Sequence, residues 1–167
     1  MRFYHKTISG LLCLLAAASV SWAEGSEPAP TPAHQADQLE NQAVELIDND
    51  RMTEGLKLMK KAIDIDPAPM RHMNYGSILF GNGVADYKDG RQEQASATLK
   101  QAQDELNQAI NGFDPKQEGA FLGQAYFLLG EISLNAFSDK TQAKTFYRKA
   151  LSYYDNEGAK AALAKLQ

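Results

Sequence analysis

The sequence predicts an all-α fold built of helical hairpins. Three observations carry that prediction. Alternating β-branched runs are nearly absent, while Ala, Leu, Gln, Lys and Glu dominate. Apolar residues return every three or four positions from about residue 36 onward. The segments so defined fall into pairs, and small residues recur at matching places in each pair.

The 167 residues leave room for one domain, and its start is set by two preliminary segments. Residues 1–23 carry Arg2 and Lys6, an apolar run from Leu11 to Val20, and the ending Ser21-Trp22-Ala23. That is the layout of a secretory signal peptide, and the run is too short to span a bilayer, which takes about 20 apolar residues. Cys13, the only cysteine, lies inside it, and Leu12 before it is too large for a lipidation site. Cleavage would leave no cysteine, excluding disulfides, thiol nucleophiles and thiolate metal sites. Residues 24–35, "EGSEPAPTPAHQ", hold three prolines and no apolar run, and are expected to be a flexible leader. The helical domain is expected over residues 36–167. Removing Arg2 and Lys6 takes the formal charge from −4 to −6. With no basic patch, nucleic acid is not an expected partner.

The helices follow in order. A first is expected over Ala36 to Asp48, with Leu39, Ala43, Leu46 and Ile47 on one face, ending at "NDR". A second runs from Met52 to Ile65 and is stopped by Pro67 and Pro69. A third begins near Met70, and glycines at 81, 83 and 90 weaken its far end. A long fourth spans Arg91 to Asn111 with Leu99, Ala102, Leu106, Ala109 and Ile110 inward, and "GFDP" ends it. A fifth covers Lys116 to Ala136. The turn "SDKT" then caps a sixth, which holds Ala143, Phe146, Tyr147 and Ala150. Asp155 or Asn156 caps the last, "EGAKAALAKL".

Aligned, the last pair gives Tyr126, Leu129, Gly130, Ser133, Ala143, Tyr147 and Ala150. The first gives Leu39, Ala43, Leu46, Gly55, Met59, Ala62 and Pro67. The middle gives Tyr75, Gly76, Ala102, Leu106, Ala109 and Pro115. This pattern resembles the tetratricopeptide (TPR) repeat, over about Ala36 to Asp155, as in exported bacterial TPR-containing proteins. The resemblance implies a helical-hairpin solenoid of about three repeats, closed by a C-terminal capping helix. The middle repeat departs most, with about eighteen extra residues from Gly81 to Thr98, expected to lengthen both helices. Gly130 is expected to let the partner helix's backbone approach, so that leucine there would cost about 1–3 kcal/mol.

Residues that carry chemistry are sparse. There is no His-Glu-x-x-His, no phosphate loop and no dinucleotide fingerprint. "GNGVADYKDG" lacks the calcium-loop alternation, and the carboxylate pairs read as solvated faces. No enzyme, metal or cofactor is expected. The resemblance implies instead a concave groove, lined by the first helix of each pair, that holds a peptide or helix of a partner. The positions so mapped are Asp37, Glu40, Val44 and Ile47 in the first repeat. They are Met73, Ser77 and Phe80 in the middle, and Gln124, Phe127, Glu131, Leu134 and Asn135 in the last. Lys and Arg are missing from this set, which argues against a clamp for a C-terminal carboxylate and for an apolar or basic partner segment. The expected function is a periplasmic adaptor binding another envelope protein. The alternative is a permanent structural subunit or self-associating scaffold of an envelope complex.

Overall fold

The computed structural model describes residues 29–166; the signal segment and residues 24–28 of the leader lie outside the described residues. Seven helices are found among them: α1 (Pro32–Asp48), α2 (Met52–Ile65), α3 (Pro69–Lys88), α4 (Gln92–Gly112), α5 (Gly119–Asn135), α6 (Lys140–Tyr153) and α7 (Glu157–Lys165). They pack as three hairpins, α1–α2, α3–α4 and α5–α6, stacked in chain order and closed by α7 against α6. The chain is thus an all-α helical-hairpin solenoid, consistent in general terms with a TPR-like architecture. None of these helices is long and apolar enough to cross a membrane.

The hairpins share one turn construction. The backbone N–H of Arg51, Arg91 and Asp139 donates to the carbonyl of Leu46, Asp86 and Ser133, at 2.8, 2.9 and 2.8 Å. The residue before each donor is left-handed: Asp50 at φ 60°, Gly90 at φ 79° and Ser138 at φ 54°. Only the middle turn uses the residue type with no steric penalty there.

Behind the turns runs a seam of small residues seven apart, or about two helical turns. It comprises Ala36 and Ala43 with Gly55 and Ala62, Gly76 and Gly83 with Ala95 and Ala102, and Gly123 and Gly130 with Ala143 and Ala150. All are buried. The helices approach closely there. A Cβ on Gly55 would lie 2.8 Å from the Ala43 carbonyl oxygen, and one on Gly123 would lie 3.1 Å from that of Ala150. The larger core side chains fill the space on either side. Leu106, Leu129 and Ile132 are fully buried, each stabilising by about 1.5–3 kcal/mol.

This seam corrects the register of the middle repeat. The tip pair equivalent to Ala43–Gly55 and Gly130–Ala143 is Gly83–Ala95, seven residues nearer the turn than Gly76–Ala102. Each first helix ends five residues after its tip member, and each second helix begins three before. Residues 81–98 are therefore an ordinary hairpin tip. The added length lies at the open end, where α4 continues ten residues past Ala102 while α2 and α6 stop three past Ala62 and Ala150. The helices of the middle repeat are longer, as expected, but not through residues 81–98, which hold no inserted length. The expected weakening of the third helix does not hold, because Gly83 serves the seam and Gly90 the turn.

Three other expectations change. Helix α1 begins at Pro32 rather than Ala36, with the Thr31 hydroxyl accepting from the His34 N–H, so His34 is helical. Helix α5 begins at Gly119 rather than Lys116, because residues 114–118 close a turn. There the Asp114 carboxylate accepts from the Lys116 N–H at 2.9 Å, and Glu118 accepts from the Asp114 N–H at 2.8 Å. Gly130 faces a ring rather than a backbone: its Cβ would lie 2.5 Å from Tyr147 Cε1. The expected caps form, with Asp139 accepting from Gln142 and Asn156 from Ala159.

Candidate functional site

Helix α3 presents its seam face to α4, and its opposite face is open. Asn74, Ser77, Ile78, Gly81, Val84 and Lys88 follow three- and four-residue steps along that open face. Two clefts flank it. One, of about 430 Å³, lies between α1 and α3 and is bordered by Glu40, Asn41, Val44, Met59, Asn74, Ser77 and Ile78. The other, of about 440 Å³, lies between α3 and α5 and is bordered by Phe80, Val84, Tyr87, Lys88, Leu99, Glu131, Leu134 and Asn135. Gly81 sits between them, exposed, with nothing within 4 Å of a Cβ placed on it. Gly81 therefore places no side chain on the stretch of α3 between the two clefts. A broader depression at Gly90–Gln94 and Ala97 belongs to a single hairpin turn.

The structure gathers four of the eight expected contact residues, Phe80, Glu131, Leu134 and Asn135, in the second cleft and places Ser77 in the first. Ser77 donates its hydroxyl to the Met73 carbonyl at 2.8 Å. Met73 is itself buried in the core, 6% exposed. Gln124 is exposed on α5 and borders neither cleft. Phe127 lies against the Tyr147 ring, with centroids 6.0 Å apart, and against Gly158 of α7. A change at Phe127 thus alters the packing of the capping helix.

The polar groups at the second cleft are tied to one another. Glu131 accepts from the Tyr147 hydroxyl at 2.7 Å and from the Asn135 amide at 3.1 Å. Burial, and then the Glu131 carboxylate, push the Tyr147 hydroxyl well above the ordinary tyrosine range. The first cleft ends at a charged cluster the sequence did not disclose. Arg71, 6% exposed, donates to Asp37 at 2.8 Å, to Asp66 at 2.9 Å, to Glu40 and to the Ala33 carbonyl. Glu40 also accepts from the Asn74 amide at 3.2 Å. Asp37 and Glu40, mapped to the groove in the first repeat, are therefore held by Arg71. Of the remaining first-repeat positions, Val44 borders the first cleft, while Ile47 packs toward Gly55.

Asn74, Ile78, Gly81, Val84 and Lys88 share this face of α3 but are not among the positions mapped from the sequence. Their spacing was legible, but the glycines at 81 and 83 were read as weakening the helix. Arg71 had no signal, because its partners on α1 lie 31 to 38 residues away. Elsewhere, His72 pairs with Glu105 at 2.7 Å, and Asp86 and Asp89 both turn to Arg91. No group of three His, Cys, Asp or Glu among the described residues is arranged to hold a metal.

Comparison with known proteins returned no matching family model and no similar curated protein. The geometry of the hairpins and of the α3 face is what bears on function.

Proposed function

We propose that this chain is a non-enzymatic interaction adaptor of the TPR type, exported to the bacterial periplasm, which holds a peptide or helix of another envelope protein along the open face of α3. The observation that carries the reading is a cleft on either side of α3, with the side-chain-free Gly81 between them on that helix. We read the two as one trough flanked by α1 and α5, of the kind stacked helical pairs offer to a partner. The trough mixes apolar side chains with a few placed polar ones, the composition that suits recognition of a side chain or segment.

The test is a crosslinked pull-down from envelope extract, comparing the wild type with Gly81→Trp. The variant places a large ring on α3 between the clefts at a site where a Cβ meets no neighbour, and helicity and melting are checked first. A protein captured by the wild type and lost in the variant supports the adaptor. Equal capture by both moves the interaction off this face.

The scaffold reading draws on Phe121, Tyr153 and Tyr154, which are large and exposed at 43%, 38% and 52%. Sedimentation of the isolated chain distinguishes the two. A monomer fits the adaptor, whereas a concentration-independent oligomer fits the scaffold.

A further inference from the structure

The trough has a chemical direction along α3. At the end nearest α1, the three carboxylates of Asp37, Glu40 and Asp66 surround the single guanidinium of Arg71. The cluster keeps an excess of two negative charges. Glu40 has both oxygens engaged, by Arg71 and Asn74. The Asp37 side chain is 60% exposed and, among the described residues, only one of its oxygens accepts a hydrogen bond. Asp66 also uses a single oxygen, but its side chain is 29% exposed, so Asp37 is the most open member of the cluster to a further cation.

The end nearest the hairpin tip has the opposite character. Phe80, Val84 and Leu134 supply apolar surface, and the Glu131 carboxylate is already satisfied by Tyr147 and Asn135. A polar ligand group gains little there, while an apolar one displaces water from apolar walls. Lys88 stands at that rim and offsets the Glu131 charge, so this end carries no net excess of negative charge, unlike the end beside α1.

Resting on the adaptor reading, we infer that the occupant is a segment of a partner protein with a basic side chain at its α1 end and a leucine or aromatic anchor in the Phe80–Leu134 cleft. The spacing follows from α3 itself. Asn74 and Val84 are ten residues apart, about 15 Å along a helix. A helical partner covers that distance in about ten residues, and an extended one in four to five. The excess of negative charge beside Asp37 sets the direction.

The experiment selects binders to the chain from a displayed library of random 16-residue peptides, then measures the selected synthetic peptides by fluorescence polarisation. The proteins are the wild type, Gly81→Trp and Asp37→Asn. Expected binders carry Lys or Arg separated from Leu, Phe or Trp by one of the two spacings. Their affinity falls at least about tenfold on Gly81→Trp. It falls about three- to fivefold on Asp37→Asn, and also as salt is raised. Binders that need an open Gly81 yet lack a basic residue and ignore Asp37→Asn overturn the inferred partner chemistry while leaving the trough as the binding face. Binders indifferent to Gly81→Trp, or no binders at all, overturn both. A trough closed by a second copy of the chain, seen as a dimer that Gly81→Trp dissociates, also overturns the inferred partner.

Discussion

The ring of Tyr147 lies across Gly130, so close that a Cβ on residue 130 would stand 2.5 and 2.6 Å from two of its carbons. The ring is fully buried between α5, α6 and Phe127 and has no free path aside. Gly130→Ala is therefore expected to destabilise by about 1–3 kcal/mol through overpacking, outweighing the roughly 1 kcal/mol of helix propensity that alanine gains. Gly81→Ala, where nothing lies within 4 Å, should instead stabilise by up to about 1 kcal/mol. Urea unfolding followed by circular dichroism reads both. Equal shifts in the two variants would contradict the packing described for Gly130.

Tyr147 also predicts a pH dependence. Its hydroxyl ionises at a higher pH in the folded chain than in the unfolded one. Its contribution is therefore complete below about pH 10 and is lost progressively as pH rises above that value. The melting temperature should fall as pH is raised above about 10. Tyr147→Phe should remove part of that slope while costing about 1–2 kcal/mol at neutral pH for the lost bond to Glu131. Tyr75 and Tyr126, also raised chiefly by burial, leave a residual slope. An unchanged slope in the variant would place the alkaline loss elsewhere.

Arg71 holds the first hairpin to the second. Arg71→Met leaves three carboxylates facing one another. It should cost about 2–3 kcal/mol, below the figure for a fully buried pair because Asp37 and Asp66 keep contact with water. Amide exchange should quicken in α1 and α2 well before α5 and α6. Uniform loss of protection across all hairpins would mean that Arg71 does not divide the molecule in this way.

The turns make a paired prediction. Ser138 occupies a left-handed conformation at φ 54°, and Gly90 occupies the equivalent place at φ 79°. Ser138→Gly should stabilise by about 0.5–1 kcal/mol and Gly90→Ala should destabilise by about 1–2 kcal/mol. Thermal melts of the two single variants check the opposite signs.

Much of this architecture was legible in the sequence because its punctuation is local. "NDR", "SDKT" and the Asp66–Pro69 stop mark where helices end, and apolar residues such as Leu99, Leu106 and Leu129 mark which faces turn inward. The middle hairpin was harder to read because one residue type does three jobs there. Gly83 permits a close approach, Gly90 takes a left-handed turn, and Gly81 leaves a gap on the open face. Composition does not separate those uses; only the partner helix does. The candidate site was half legible for a related reason. Phe80, Glu131, Leu134 and Asn135 come together in one cleft. Met73 and Phe127 sit at neighbouring helical angles but are taken up by the core and by α7. The Arg71 cluster depends on contacts across the stack that helical spacing does not encode.

The most direct test of the central claim is site-specific photocrosslinking in cells, with a photoreactive phenylalanine analogue placed at position 81 on the open face of α3 or at position 108, an exposed site on α4. The account predicts a discrete crosslinked partner from position 81 and none from position 108. The same partner captured from position 108 and not from position 81 would contradict it.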